Sequence, residues 1–177
     1  MTEVFLRLVR PDDLDLMWGW RNDPHTRRME RVHHMIPRDF YHNWVWHALT
    51  SSSRRIYLAE AEGCAIGYSE LSLRRDGGAD MGINFNPAFR GRGLAGTVIR
   101  GAIAAARPEL GFDAVWAEIR NQNVPSQRAF ARAGFSLWRQ GEETLHMVRS
   151  EQLDHPAVFR ERVSPQVGAG QAGAALG

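Results

Sequence analysis

"NFNPAFRGRGLAGTVIR", residues 84–100, decides the fold: three glycines and three arginines surround a proline where an apolar strand gives way to an apolar helix. Upstream, "ADMGINF", 79–85, alternates Met81, Ile83 and Phe85 with Asp80, Gly82 and Asn84, the period of a strand. Downstream, Leu94, Val98, Ile99, Ala102 and Ile103 recur at helical spacing, and the helix is expected to stop before Pro108. A helix N-terminus leaves backbone N–H groups unpaired and carries partial positive charge. A turn stripped of side chains there lets a phosphate approach those donors. Gly91, Gly93 and Gly96 give the clearance, and Arg90 and Arg92 add charge, so "RGRGLAG" reads as a pyrophosphate cradle. It lacks the GK[ST] ending of a P-loop, and it follows strands joined as hairpins, unlike a dinucleotide fingerprint.

Working outward, "EVFLRLVR", 3–10, reads as a strand ending at Pro11. "PDDLDLMWGWRND" reads as a helix with a stop at Asn22, Asp23 and Pro24; its apolar spacing, like that of "PRDFYHNWVWHAL", 37–49, puts Trp18 and Trp44 on buried stripes. Strands over about 55–61 and 64–73 are joined by a tight turn at Glu62 and Gly63. "FDAVWAEI" is a strand, "VPSQRAFARAG" a helix closed by Gly134, and "FSLWRQ" and "TLHMVRS" are strands. Residues 1–163 form one domain; 164–177, small-residue and poor in bulky side chains, are expected to be a disordered tail.

The chain has 177 residues, 44% of them hydrophobic, enough for one sizeable core. One cysteine, Cys64, excludes an internal disulfide framework and a cysteine zinc cluster, and the cytoplasm is the expected compartment. No leader pattern or membrane-length apolar run is found, so a soluble protein is expected. All 22 basic residues are arginine, and the net charge of +2, with scattered arginines, speaks against nucleic acid.

The order strand, two helices, three strands, helix, strand, helix, two strands, with "RGRGLA" after the fourth strand, resembles the GCN5-related N-acetyltransferases (GNAT) over roughly residues 3–150. "ADMGINFNPAFRGRGLAG" is similar to that family's acetyl-CoA motif at Arg90, Gly93 and Ala95, and "NQNVPSQRAFARAGF" to its second motif. The resemblance implies an α/β (α+β) fold: a mixed, mostly antiparallel sheet of about seven strands flanked by four helices. The fourth strand would bulge and splay from the fifth to form an acetyl-CoA cleft. It implies acetyl-CoA as co-substrate and no metal. Coenzyme contacts would come from Ile83, Asn84 and Phe85 on the strand, from Arg90, Gly91, Arg92, Gly93, Leu94, Ala95, Gly96 and Thr97 on the turn, and from Asn123, Ser126 and Phe130 on the later helix.

Acetyl transfer to an amine needs a neutral amine, a polarised carbonyl and a proton for the departing thiolate. Backbone N–H groups near Ile83 and Asn84 would polarise the carbonyl in a ternary complex with direct transfer. Asp80, where many relatives carry Glu, and Glu70 are the candidate bases, with His25, His33, His34 and His42 as substitutes. Many relatives have a Tyr four residues before the Gly-Phe; this chain has Phe130, so Tyr68, Tyr41 or water would protonate the thiolate, or it leaves without a dedicated acid. Cys64 has no basic neighbour and is not expected to carry an acyl group.

For the acceptor, the first helices offer Trp18, Trp20, Trp44 and Trp46 with Arg21, Arg27, Arg28 and Arg31. Trp20, Arg21, His25, Arg28 and Tyr68 are the substrate-binding candidates. Rings and arginines suit a nucleotide-linked amino sugar, and "WRNDPHTRRM" resembles acetyltransferases of UDP-linked 4-amino-4,6-dideoxy sugars. A similar "WRND" occurs in ribosomal-protein N-terminal and polyamine acetyltransferases of the RimJ/RimL type. A peptide N-terminus and another small amine, antibiotics included, therefore stay open. A homodimer stays open, and a non-catalytic acetyl-CoA sensor is the reading from another class.

Overall fold

A computed structural model describes residues 2–30 and 33–150. The expected tail from residue 164, the end of the expected domain and Arg31 lie outside the described residues. The order is β1 (Phe5–Leu8), α1 (Leu14–Arg21), α2 (Pro24–Met29), α3 (Arg38–Leu49), β2 (Arg54–Ala61), β3 (Cys64–Leu73) and β4 (Ala79–Phe85), then α4 (Ala95–Leu110), β5 (Ala114–Arg120), α5 (Val124–Arg132), β6 (Ser136–Gln140) and β7 (Thr144–Ser150). Single 3-10 turns at Pro11–Asp13 and Pro87–Phe89 lead into the helical parts.

The strands form one sheet in the order β1-β2-β3-β4-β5-β7-β6, antiparallel except for β4 and β5. α1 and α3 bury Leu14, Met17, Trp20, Tyr41 and Val45 against Ile56, Leu58 and Tyr68 on one face. On the other, Ile99, Ile103 and Leu110 of α4 and Phe130 of α5 meet Leu71, Met81, Val115 and Met147. The hairpin turn expected at Glu62 and Gly63 forms, both residues having positive φ, 54° and 73°. No helix among the described residues is long and apolar enough to cross a membrane.

Three expectations are corrected. Among the described residues five helices flank the sheet, not four, because Asp23 and Pro24 start a helix as well as ending one. Asp23 caps α2 by accepting the Thr26 N–H at 3.0 Å, and Pro24 takes the first helical position, where no N–H is needed. α4 runs through Pro108 to Leu110 and closes at Gly111, with φ 70°. The carbonyl that Pro108 leaves without its helical donor belongs to Ala104, on the exposed side of the helix. The β3–β4 ladder keeps an unbroken register from Gly67↔Phe85 to Leu73↔Ala79, so β4 has no bulge against β3; the irregularity lies between β2 and β3, at Ala59 and Glu60.

Candidate functional site

β4 and β5 are paired only at Ala79↔Val115 and Asp80↔Trp116. Beyond these the parallel strands part, and a cleft of about 480 Å³ opens between them. The end of β4 (Ile83, Asn84, Phe85) forms one wall, and α5 with its cap (Asn123, Ser126, Ala129) another. The glycine turn with the start of α4, and α2 (His25, Thr26, Met29) with its C-cap Glu30, complete the lining.

The turn has the geometry its composition calls for. Gly91 and Gly93 have φ of 76° and 78°, a region side chains rarely enter, and a Cβ at either would point into open space. Clearance is thus on the outer side of a backbone that delivers unpaired N–H groups at Ala95 and Gly96, the first turn of α4. Arg92 lies over the Phe89 ring at 4.4 Å and donates to the Ala88 carbonyl, which fixes its stem at the rim.

The cleft brings together Ile83, Asn84, Phe85, Arg90, Gly91, Arg92, Gly93, Leu94, Ala95, Gly96, Asn123, Ser126 and His25 from the residues singled out in the sequence. It leaves others aside. Thr97 is exposed outside the lining. Phe130 is 2% exposed and stands edge-on to Phe135, 4.9 Å between ring centres, so it packs in the core. Trp20 is likewise core at 6% exposure, whereas Trp44 on the supposed buried stripe is 38% exposed beneath the Arg54 guanidinium. Trp18 donates its indole N–H to the Ile36 carbonyl. Arg28 is exposed, away from the lining. Cys64 is exposed at the start of β3, also outside it.

Asp80 is not in the cleft either. It is exposed, at the closed end of the parting strands, and accepts from Arg74 at 2.8 Å. Glu70, Tyr68 and Arg21 do not line the cleft either; Glu70 lies directly across the ladder from Gly82, with Tyr68 across from Asn84, behind the β4 wall on the face covered by α1 and α3. Burial pushes the Glu70 carboxyl above the usual carboxylate range; Arg54 at 3.2 Å pulls against this and the charge of Glu30 adds to it. Burial also raises the Tyr68 and Tyr41 hydroxyls, 3.4 Å apart, and Asn84 donates to Tyr68 at 3.5 Å. Arg21 approaches Glu30 at 3.6 Å, and its other terminal nitrogen is buried with no hydrogen-bond partner. His42 meets Asp15 at 2.9 Å, and His33 contacts the Arg27 carbonyl and the Arg120 guanidinium.

Thr26, Met29, Glu30, Arg128 and Arg132 line the cleft without having been singled out. For the two arginines a signal existed: they lie four apart on the polar side of an amphipathic helix, next to the capped Ser126. For the α2 residues it was masked by the Asn-Asp-Pro stop. Among the described residues no group of three or more His, Cys, Asp or Glu side chains could hold a metal ion.

A family model described as the acetyltransferase (GNAT) domain matches residues 3–136. A Bacillus subtilis (strain 168) protein, YwnH, named as a candidate phosphinothricin acetyltransferase, is 27% identical over 143 residues, 75% of this chain and 84% of that protein. Among solved structures, the aminoglycoside acetyltransferase AAC(6')-Ib in complex with coenzyme A superposes with a TM-score of 0.73 at 20% identity, covering 91% of this chain and all of that one. The spermidine N-acetyltransferase of Vibrio cholerae, in complex with CoA and spermine, gives 0.72 at 17% identity, over 83% of this chain and 95% of that one.

Proposed function

Since this chain belongs to the GNAT acetyltransferase family and uses acetyl-CoA as acetyl donor, we propose that it acetylates a primary amine on a small acceptor by direct attack, with Glu70 taking the proton. The observation that carries this is the parting of β4 from β5 beside the glycine turn. The turn and the first N–H groups of α4 receive the pyrophosphate, with Arg92, Arg128 and Arg132 at the rim adding charge. The free edge of β4 at Ile83 to Phe85 offers its backbone to the pantetheine amides and the thioester carbonyl.

On the acceptor side, Glu70 is an acid whose proton affinity burial has raised, facing the side-chain-free position Gly82. A carboxylate tuned upward in this way suits a base that must accept an amine proton near neutral pH. As the C–N bond forms and the C–S bond breaks, that proton passes to Glu70, directly or through one water, and the thiolate takes one from solvent or from the Tyr68–Tyr41 pair. Phe130, in the core, supplies none.

Small acceptors fit because none of the four rings expected to stack on a nucleotide lines the cleft: Trp20 is in the core, Trp18 donates to the Ile36 carbonyl, and Trp44 and Trp46 are exposed outside the lining. A nucleotide-linked amino sugar is the second reading, favoured by the buried, unpartnered guanidinium nitrogen of Arg21, which suits an anionic group on the acceptor. Thiol release from acetyl-CoA tests both, using aminoglycosides and phosphinothricin, UDP- and TDP-linked amino sugars, peptides with free N-termini, and polyamines. Turnover confined to the small amines is expected; turnover confined to the nucleotide sugars selects the second reading. Binding of acetyl-CoA without turnover of any acceptor overturns both.

A further inference from the structure

Arg90 heads the coenzyme motif, yet its guanidinium points to the acceptor side. Nη1 donates to Asp23 Oδ2 at 2.8 Å, and Nη2 donates to Thr26 Oγ1 at 2.7 Å and to the Phe85 carbonyl at 3.3 Å. Asp23 and Thr26 are the cap and third residue of α2, and the Thr26 hydroxyl donates onward to Asn84 Oδ1 at 3.3 Å. Burial opposes ionisation of Asp23, but the Thr26 N–H and Arg90 outweigh it and hold the carboxyl below its usual range, as a charge-assisted pair requires.

The other end of α2 is fastened too. Arg120, at the end of β5, donates to the Glu30 carbonyl at 3.1 Å and lies 3.0 Å from His33 Nε2. α2 therefore spans the gap between the two diverging strands, tied to the turn after β4 by Arg90 and to the end of β5 by Arg120. Its inner side, at His25, Thr26 and Glu30, is a wall of the cleft.

We propose that Arg90 is a positioning residue, a strut that transmits coenzyme occupancy of the glycine turn to α2 and so sets the acceptor wall of the cleft, instead of a phosphate ligand. With α2 anchored at both of its ends, the strut makes coenzyme binding and the ordering of α2 one coupled event. The acceptor then meets a completed site only after acetyl-CoA is in place.

The test uses coenzyme A alone, so it is independent of which acceptor the enzyme takes. CoA affinity by calorimetry and amide hydrogen exchange across α2 are measured in wild type, Arg90→Ala, Asp23→Asn and the double variant. Asparagine is as good a helix cap as aspartate, so Asp23→Asn removes the ion pair without unfolding α2. For a strut, both single variants weaken CoA binding by the same factor, about three- to tenfold. The double variant is no worse than either, and CoA no longer slows exchange in α2. If Asp23→Asn instead tightens CoA binding while Arg90→Ala weakens it, Arg90 is a phosphate ligand held back by Asp23 and the proposal is overturned. Exchange in α2 that still slows with CoA in both single variants overturns it equally.

Discussion

Glu70 and Gly82 face each other across the β3–β4 ladder, and a Cβ built on Gly82 would meet nothing within 4 Å. A carboxylate whose proton affinity burial has raised thus looks over a gap in the side chains of the neighbouring strand, one residue before the cleft wall begins at Ile83. In the proposed mechanism that gap is where the amine would stand.

Replacing Glu70 by Gln is expected to lower turnover about 10²-fold or more with acetyl-CoA affinity unchanged. Because the folded-state proton affinity of Glu70 is raised, the wild-type acid limb of kcat/KM should lie above the ordinary value of about 4.3 and vanish in the variant. Stability moves the other way. A raised carboxyl contributes stability below its unfolded-state value and loses it as pH climbs through the folded one, so Glu70→Gln should melt higher than wild type at neutral pH and equal it near pH 4. Asp80→Asn breaks an exposed pair with Arg74 outside the cleft lining and should leave turnover at the wild-type level, at a stability cost of at most about 1 kcal/mol.

Two glycines of the same ladder should respond oppositely. At Gly67 an added Cβ lies 2.6 Å from the Asn84 carbonyl oxygen, a backbone atom that cannot step aside, so Gly67→Ala should cost about 1–3 kcal/mol in denaturant unfolding. Gly82→Val has space around it and a conformation every residue adopts. It should leave the melting temperature in place while raising the KM of the amine acceptor, since it fills the gap below Glu70.

In the turn, Gly93→Val forces a β-branched residue to φ 78°, about 1–2 kcal/mol of strain, and puts bulk on the side from which a phosphate approaches. Acetyl-CoA affinity by calorimetry should fall about tenfold or more, since each 1.4 kcal/mol is a factor of ten.

Away from the site, Arg7 grips Asp13 with two bonds of 2.7 and 2.8 Å, joined by the Arg10 N–H at 2.7 Å. The Arg7 bonds outweigh burial and hold the Asp13 carboxyl below its usual range. Stability from this group is complete above about pH 4, the unfolded value, and is lost as pH falls through the depressed folded value. Asp13→Asn should cost about 1–3 kcal/mol at pH 7, with the deficit shrinking to nothing in strong acid, as read by urea melts across pH.

The turn and β4 were legible because both are local: alternation at Met81, Ile83 and Phe85, then glycines whose φ the turn demands. The order of elements and the acetyl-CoA cleft followed from them. What escaped was set by contacts distant in sequence. Asp80 was read from its place in a motif, but its partner Arg74 comes from the preceding turn. Arg90 was read as facing a phosphate, but its partner Asp23 is 67 residues away. Trp20 joined the core and Trp18 packs partly buried beside it, because a 3-10 turn precedes the eight residues of α1, and a short helix entered that way sets its phase by the core it meets, Leu14, Met17 and Trp20.

The strands that separate after Asp80 and Trp116 also bear on how the protein behaves in solution. Each carries backbone donors and acceptors that no neighbouring strand takes up, so the sheet has two edges in its interior besides the two at its rims. Such edges invite any extended chain, including another molecule of the same protein. A bound coenzyme is then a plug as well as a reactant, and emptied enzyme kept concentrated should be the form that self-associates.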